Sequence, residues 1–245
     1  MKKLLFWLAL IVGTVALIGS CAKKDEDAAA AAAVPAGGTG STASGTVSGI
    51  DGLTGTFEMS YHGQEPSGGC VDNSTAVATF VSSSSVPSDT LAFKKQMIFT
   101  SSTTFTESLQ YYSDASCATL TGYFNLLYAD VLVGDSLSGL SAGSNPAKPT
   151  TAKKVSYTHP SMNLKSNTAT TTAFFNSNFG ASNMAALGYT QGTELVIPIS
   201  TPESNVNIWE TGAMSGSSKT YLFTGSSATS TYPTGWTGAD VWWQE

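Results

Sequence analysis

The chain contains no arginine. All eleven basic residues are lysine, set against seventeen acidic ones for a net charge of −6 and an isoelectric point near 4.8. Arginine's planar fork is the usual reader of phosphate, so lysine alone on an acidic protein argues against a nucleic-acid partner. Charge of either sign is scarce, at 11% of 245 residues, and in its place stand 34 serines, 32 threonines and 24 glycines. That vocabulary suits strands and turns and is poor in helix formers. The two histidines, His62 and His159, stand at no ligand spacing to any of the three cysteines. Metal chemistry therefore has little to draw on, and no cofactor is expected.

The one long apolar run lies at the start. Met1, Lys2 and Lys3 are followed by an uncharged, nearly all-apolar stretch from Leu4 to Ile18, then Gly19, Ser20 and Cys21. This is the layout of a secretory signal peptide, although Leu4 to Ala22 also reaches the length of a membrane-spanning helix. The block Ile18-Gly19-Ser20-Cys21 resembles the lipobox of bacterial lipoproteins. That resemblance implies cleavage after residue 20 and a diacylglycerol thioether on Cys21, usually with an N-acyl chain such as palmitate. More than one chain gives stable membrane anchoring where a single chain does not. Ala22 in place of Asp implies the outer membrane of the cell envelope. Residues 21–44 carry a charged cluster, six consecutive alanines and Gly, Ser and Thr, and read as a tether. As flexible coil it spans roughly 25 to 30 Å.

From residue 45 to 245 short apolar runs alternate with period two between Gly, Asn, Asp, Ser and Pro clusters, which predicts a single all-β antiparallel domain. Phe57, Met59 and Tyr61 share one face with Glu58 on the opposite, wet one; Phe105, Leu109 and Tyr111 repeat the pattern with Glu107 interrupting it. Further strands are expected at Phe93–Phe99, Tyr123–Tyr128, Lys153–Tyr157, Thr171–Phe175, Glu194–Ile199, Val206–Trp209 and Thr220–Phe223. Pro198 marks an edge or a bulge. A short helix is expected near Ser182–Leu187, and the Trp242-Trp243 end either docks or frays. Eight or nine strands suit an up-and-down barrel or a β-sandwich.

With Cys21 lipidated, Cys70 and Cys117 remain as an even pair in an exported protein. They fall in loops at the same end of an up-and-down barrel, which permits a disulfide and leaves free thiols or metal ligands as the alternative. The segment Tyr111-Tyr112-Ser113-Asp114-Ala115-Ser116-Cys117 followed by Thr121-Gly122-Tyr123 is similar to a motif in lipocalin-like domains of bacterial lipoproteins. Those domains are akin to the extracellular domain of the adenomatosis-polyposis-coli-down-regulated protein. The opening Leu53-Thr54-Gly55-Thr56-Phe57 resembles the Gly-x-Trp start of lipocalin-type barrels, with Phe57 at the tryptophan position. The resemblance covers about Gly52 to Leu140. It implies a closed or nearly closed barrel, paired loop cysteines and an apolar ligand in the barrel mouth. The arginine that packs under that tryptophan in lipocalins has no counterpart here.

Three functions follow as expectations. The first is a non-enzymatic module binding a small apolar or amphiphilic ligand, with Phe57, Met59, Tyr61, Phe99, Phe105, Tyr111 and Tyr123 as lining residues. The second is a filled structural domain that contacts envelope proteins through its loops and its tryptophan-rich end, which holds Trp236, Trp242 and Trp243. The third is an esterase, because Val133-Gly134-Asp135-Ser136-Leu137 resembles the nucleophile block of Gly-Asp-Ser-Leu esterases. That family places an Asp three residues before its His base, where this chain has Ser156 before His159. No catalytic residue is therefore assigned. His62 stands near Glu58 and Glu65, where an acid–base pair is conceivable, but a strand-end His beside a Gly-rich loop reads as a solvated or hydrogen-bonded side chain; Asp72 with Asn73, and Asp130 with Asp135, offer oxygens for Ca²⁺ without the dense acidic spacing of a calcium loop and are accounted for by turn chemistry.

Overall fold

Odd-numbered residues along the second and third predicted strands are the bulky ones, and a pleated strand sends alternate residues to one side. The fold built on that alternation is seen in a computed structural model that describes residues 53–59, 69–72, 74–141, 148–213, 219–236 and 240–244. The expected signal segment, Cys21 and the expected tether lie outside the described residues, as do Tyr61, His62, Glu65 and Asn73.

Eight strands, β1 (Gly55–Met59), β2 (Ala92–Ser101), β3 (Thr104–Tyr112), β4 (Leu120–Ser138), β5 (Thr151–Ser166), β6 (Leu195–Ala213), β7 (Thr220–Thr224) and β8 (Asp240–Trp243), pair each with the next, all antiparallel. β8 returns to β1, with Glu58 opposite Trp243 and Met59 opposite Trp242, and the sheet closes into an up-and-down barrel. Closure removes both sheet edges, which a sandwich would leave exposed. The Trp242-Trp243 end is thus the closing strand. Trp236, Trp242 and Trp243 are all buried, so of the two outcomes the sequence left equally open, an exposed contact surface and burial against the barrel, the structure has the second.

Inside the barrel, Phe57, Met97, Phe99, Phe105, Leu126, Leu164, Trp209 and Trp242 join one apolar core. A second cluster of Ile208, Tyr221, Phe223, Trp236, Val241 and Trp243 lies on the opposite face of β6 to β8. There Trp236 Nε1 donates to the Pro149 carbonyl at 2.7 Å, and Lys219 Nζ stands 3.6 Å from the centroid of the Trp243 ring. These strands therefore bury both faces.

Three departures from the sequence reading have local causes. Thr171–Phe175 is not a strand but part of helix α2 (Ala169–Phe179), which follows helix α1 (Ser74–Ser82), itself unforeseen, and precedes α3 (Ala181–Ala186). Thr168 caps α2 by accepting the Thr171 N–H, and Thr171, Phe175 and Phe179, four apart, bury one face of it. Capping and that i, i+4 spacing override the β-propensity of the threonine run. The segments Glu194–Ile199 and Val206–Trp209 are parts of the single 19-residue strand β6. Its pairing with β5 shifts register between His159 and Ser161, beside Pro198, so the proline sits next to a bulge.

The wet face expected for β1 is also buried, since Glu58 is only 4% exposed. Gln96 Nε2 donates to Glu58 Oε1 (2.6 Å), Gln110 Nε2 to Gln96 Oε1 (2.8 Å) and the Tyr112 hydroxyl to Gln110 Oε1 (2.5 Å). Gly69, at φ +69°, packs against this chain so closely that a Cβ would lie 2.1 Å from Glu58 Oε2. Here polar side chains are buried because each has a partner. Burial, with the Glu58 and Asp114 carboxylates, pushes the Tyr112 phenol up to about 12.

Candidate functional site

Glu107, which breaks the apolar alternation of β3, shares the barrel interior with Lys95 from β2 and Asp240 from β8. Lys95 Nζ is 2.6 Å from Glu107 Oε1 and 3.7 Å from Asp240 Oδ2. It also stands 5.1 Å from the centroid of the Trp242 ring, within cation–π range. Burial works to lower the lysine's pKa, but the Glu107 and Asp240 carboxylates outweigh it and hold the ammonium above its ordinary value. The side chains of Lys95 and Glu107 are 19% and 13% exposed, that of Asp240 37%, so water reaches the group at Asp240.

Beside these charges is a cavity of about 30 Å³, lined by Glu107, Asp240, Phe105, Tyr128, Tyr157, Asn207, Trp209, Ser227 and Trp242, among others. Its volume suits about two waters. The aromatic walls lock one another in place. Phe105 stacks on Tyr128 at 4.5 Å and meets Trp209 edge-on at 5.3 Å, while Tyr157 lies 5.1 Å from Tyr128 and 5.7 Å from Trp209. The Tyr157 hydroxyl is 3.1 Å from Ser227 Oγ and accepts from Asn207 Nδ2 at 3.4 Å. Burial raises the pKa of both tyrosines, so their hydroxyls stay protonated. Trp209 is 1% exposed and its Nε1 has no hydrogen-bond partner.

Of the described residues first proposed as lining, Phe105 alone borders this cavity. Phe57 and Phe99 meet edge-on at 5.7 Å, Phe99 stacks on Phe105 at 5.4 Å, and Met59 packs against the same core. Tyr111 packs on Phe174 and Phe175 of α2. Tyr123 is a correction: Phe124, Leu126 and Tyr128 of the same strand join the core, so pleating turns Tyr123 to the outer face of the barrel, where it is still buried and its hydroxyl donates to Glu194 Oε2 at 2.7 Å. Tyr61 lies outside the described residues. The sequence reading missed Lys95, Asp240, Tyr157, Trp209, Asn207 and Ser227. One signal for them was present, since Lys95 and Glu107 both sit at core-facing positions of apolar strands and a buried charge requires a partner.

Cys70 and Cys117 form a disulfide with Cα atoms 5.9 Å apart, joining the segment before α1 to the β3–β4 loop. Within that loop the Asp114 carboxylate accepts the Ser116, Ala118 and Thr119 backbone N–H groups. The Ser116 hydroxyl and these amides hold its pKa well below the usual carboxylate range. Gly122 of the same motif faces α2, and a Cβ there would fall 2.6 Å from both the Lys165 carbonyl oxygen and Thr171 Cγ2. The residues between Tyr111 and Tyr123 thus brace the loop and the helix.

Ser136 lies exposed on β4 opposite Lys153, six positions along β5 from His159 and so about 20 Å away. His159 instead stacks on Tyr128 at 5.0 Å with its Nε2 buried and unpartnered, and burial brings its pKa down to about 4. The two do not meet as nucleophile and base. Among the described residues no group of three or more His, Cys, Asp and Glu is placed to hold a metal ion. No protein-family model matches the chain, and no curated protein matches it either.

Proposed function

We propose that this chain is a lipid-anchored lipoprotein of the bacterial outer membrane, attached through Cys21, whose barrel is a non-enzymatic domain binding a small amphiphilic ligand by its polar end. The observation that supports this reading is the cavity: two carboxylates and an aromatic wall, with the Lys95 ammonium paired to those carboxylates and water access at Asp240. Binding sites combine such apolar walls with a few convergent polar groups. The aromatic residues around Phe57, Phe99 and Tyr111 pack on one another, so they give the site rigidity rather than room.

Native mass spectrometry of the full chain, purified in mild detergent from bacterial membranes, tests both halves. A mass lacking residues 1–20 and carrying added acyl chains, with Cys21→Ser abolishing both changes, is the expected result for the anchor. A dissociable small adduct is the expected result for the ligand. The same mutual packing of aromatics favours a second reading, a filled barrel that contacts envelope proteins through its loops. A clean apo mass together with a co-purifying protein would replace the first reading with the second.

A further inference from the structure

One length of sheet edge stays open beyond the closed barrel, because β4 outruns β3. The two pair only from Phe105 opposite Tyr128 to Tyr112 opposite Leu120, whereas β5 follows β4 as far as Ser138. Past the Val131 N–H, which donates to the Thr103 carbonyl, the side of residues 132–138 turned away from β5 has no backbone partner among the described residues. An edge roughly 23 Å long thus carries N–H and C=O groups free to pair. Leu132 is 66% exposed, and Gly134, Asp135, Ser136 and Ser138 are exposed with it.

A bulge decides which side chains flank this edge. From Val133 opposite Val155 to Ser136 opposite Lys153, β4 takes three steps to two on β5. Leu132 and Leu137 therefore stand opposite Ser156 and Ala152, four apart on β5, and share the outer face, where Leu137 packs against the second cluster. Between them lies Asp135, the one charge in residues 132–138. The nearby Lys154 ammonium is 5.5 Å from the centroid of the Tyr232 ring, and Asp135 has no ion pair among the described residues.

We propose that residues 132–138 are a docking edge for an extended segment of another protein, which joins the sheet as an added strand. That segment carries a lysine or arginine against Asp135, between two apolar residues four positions apart that meet Leu132 and Leu137. In strand addition the main-chain hydrogen bonds supply affinity and the side chains select the partner. A second copy of this chain is a poor occupant. Antiparallel self-pairing sets Leu132 opposite Leu137 only by bringing the two Asp135 carboxylates side by side, on partners that each carry a net charge of −6. A short, charged edge guards against indiscriminate pairing, and the same charge selects a basic strand. The inference is independent of the cavity and its ligand.

The probe is the peptide acetyl-Thr-Val-Thr-Lys-Thr-Val-Thr-amide with a neutral fluorophore, titrated by anisotropy against the full chain in detergent at pH 7. Comparators are the same peptide with Glu in place of Lys, and with alternate backbone amides methylated. Saturable binding with a dissociation constant on the order of 0.1 mM is expected, weakening as salt rises. The Glu peptide should bind at least about tenfold more weakly, and methylation should abolish binding. Asp135→Lys should reverse the preference between the Lys and Glu peptides, and Leu132→Ser should weaken binding several-fold, both with the thermal midpoint within a few degrees of wild type. Hydrogen exchange should slow at the backbone amides of residues 132–138 when the Lys peptide is bound. Equal binding of the Lys and Glu peptides, protection confined to another part of the chain, or no binding at a millimolar of peptide would overturn the proposal. A concentration-dependent dimer in sedimentation velocity that protects the same amides and is lost in Leu132→Ser would also overturn it, by making a second copy the occupant.

Discussion

The end of the barrel under α2 and the middle of its interior are built from the same aromatic residue types, yet only one of them is finished. Under α2, Phe175 lies between Tyr111 and Tyr189, and Phe179 faces Phe124; the main polar demand, the helix N-terminus, is met by Thr168. In the middle, Phe105, Tyr128, Tyr157 and Trp209 surround an ion group, a cavity and an indole N–H without a partner. Packing of the first kind yields stability alone. Interiors of the second kind surrender stability, because a buried polar group without a partner keeps its desolvation cost.

Removing a ring from the finished end should give the largest effect. Phe175→Ala leaves a cavity in a site 1% exposed and should cost about 3 to 5 kcal/mol in urea unfolding. Breaking the ion group comes next: Lys95→Met leaves two carboxylates facing each other in a partly buried site and should cost about 2 to 4 kcal/mol. Adding Glu107→Gln to that variant should recover more than half of the loss, whereas an additive double variant would show that the two residues do not act as a pair.

Acid should weaken the middle next. A histidine whose folded pKa is about 4, against 6.5 when unfolded, binds its proton more readily in the unfolded chain across that interval. Its contribution is complete above pH 6.5 and is lost as the pH falls towards 4, up to about 3 kcal/mol in total. Comparing wild type and His159→Gln by urea unfolding at pH 7 and pH 5 isolates it; an equal acid loss in both would place the effect elsewhere. The smallest effect is expected at Leu132, which is 66% exposed on β4. Leu132→Ser should change stability by less than about 0.5 kcal/mol.

Strand content was legible because period-two alternation survives wherever one face of a strand meets a core, as in Phe57 and Met59 or Met97 and Phe99. It failed at Thr171–Phe175 because β-branched threonines and adjacent phenylalanines carry a strand vocabulary, while the decisive facts were a cap and the barrel end that Phe175 and Phe179 cover. Helix α1 was missed for a related reason: its Phe80 and Val81 pack on a cluster built with Phe93, which lies on a different element. The site was half legible. Glu107 stood out as an interruption, but its partner Lys95 lies on β2, and Asp240 belongs to a strand that sequence reading left undecided.

By itself the sequence determined that the domain is all-β and antiparallel and that its loops permit a Cys70–Cys117 bridge. Alternation, turn residues and charge are local properties, and they stay readable without the fold. Tertiary structure decided that the sheet closes through Trp242 and Trp243, that Tyr123 faces outward, and that Lys95, Glu107 and Asp240 meet around a cavity. Each of these depends on strand register and barrel closure between segments up to 185 residues apart, Glu58 to Trp243 being the widest, and no local pattern encodes which distant side chains share one interior.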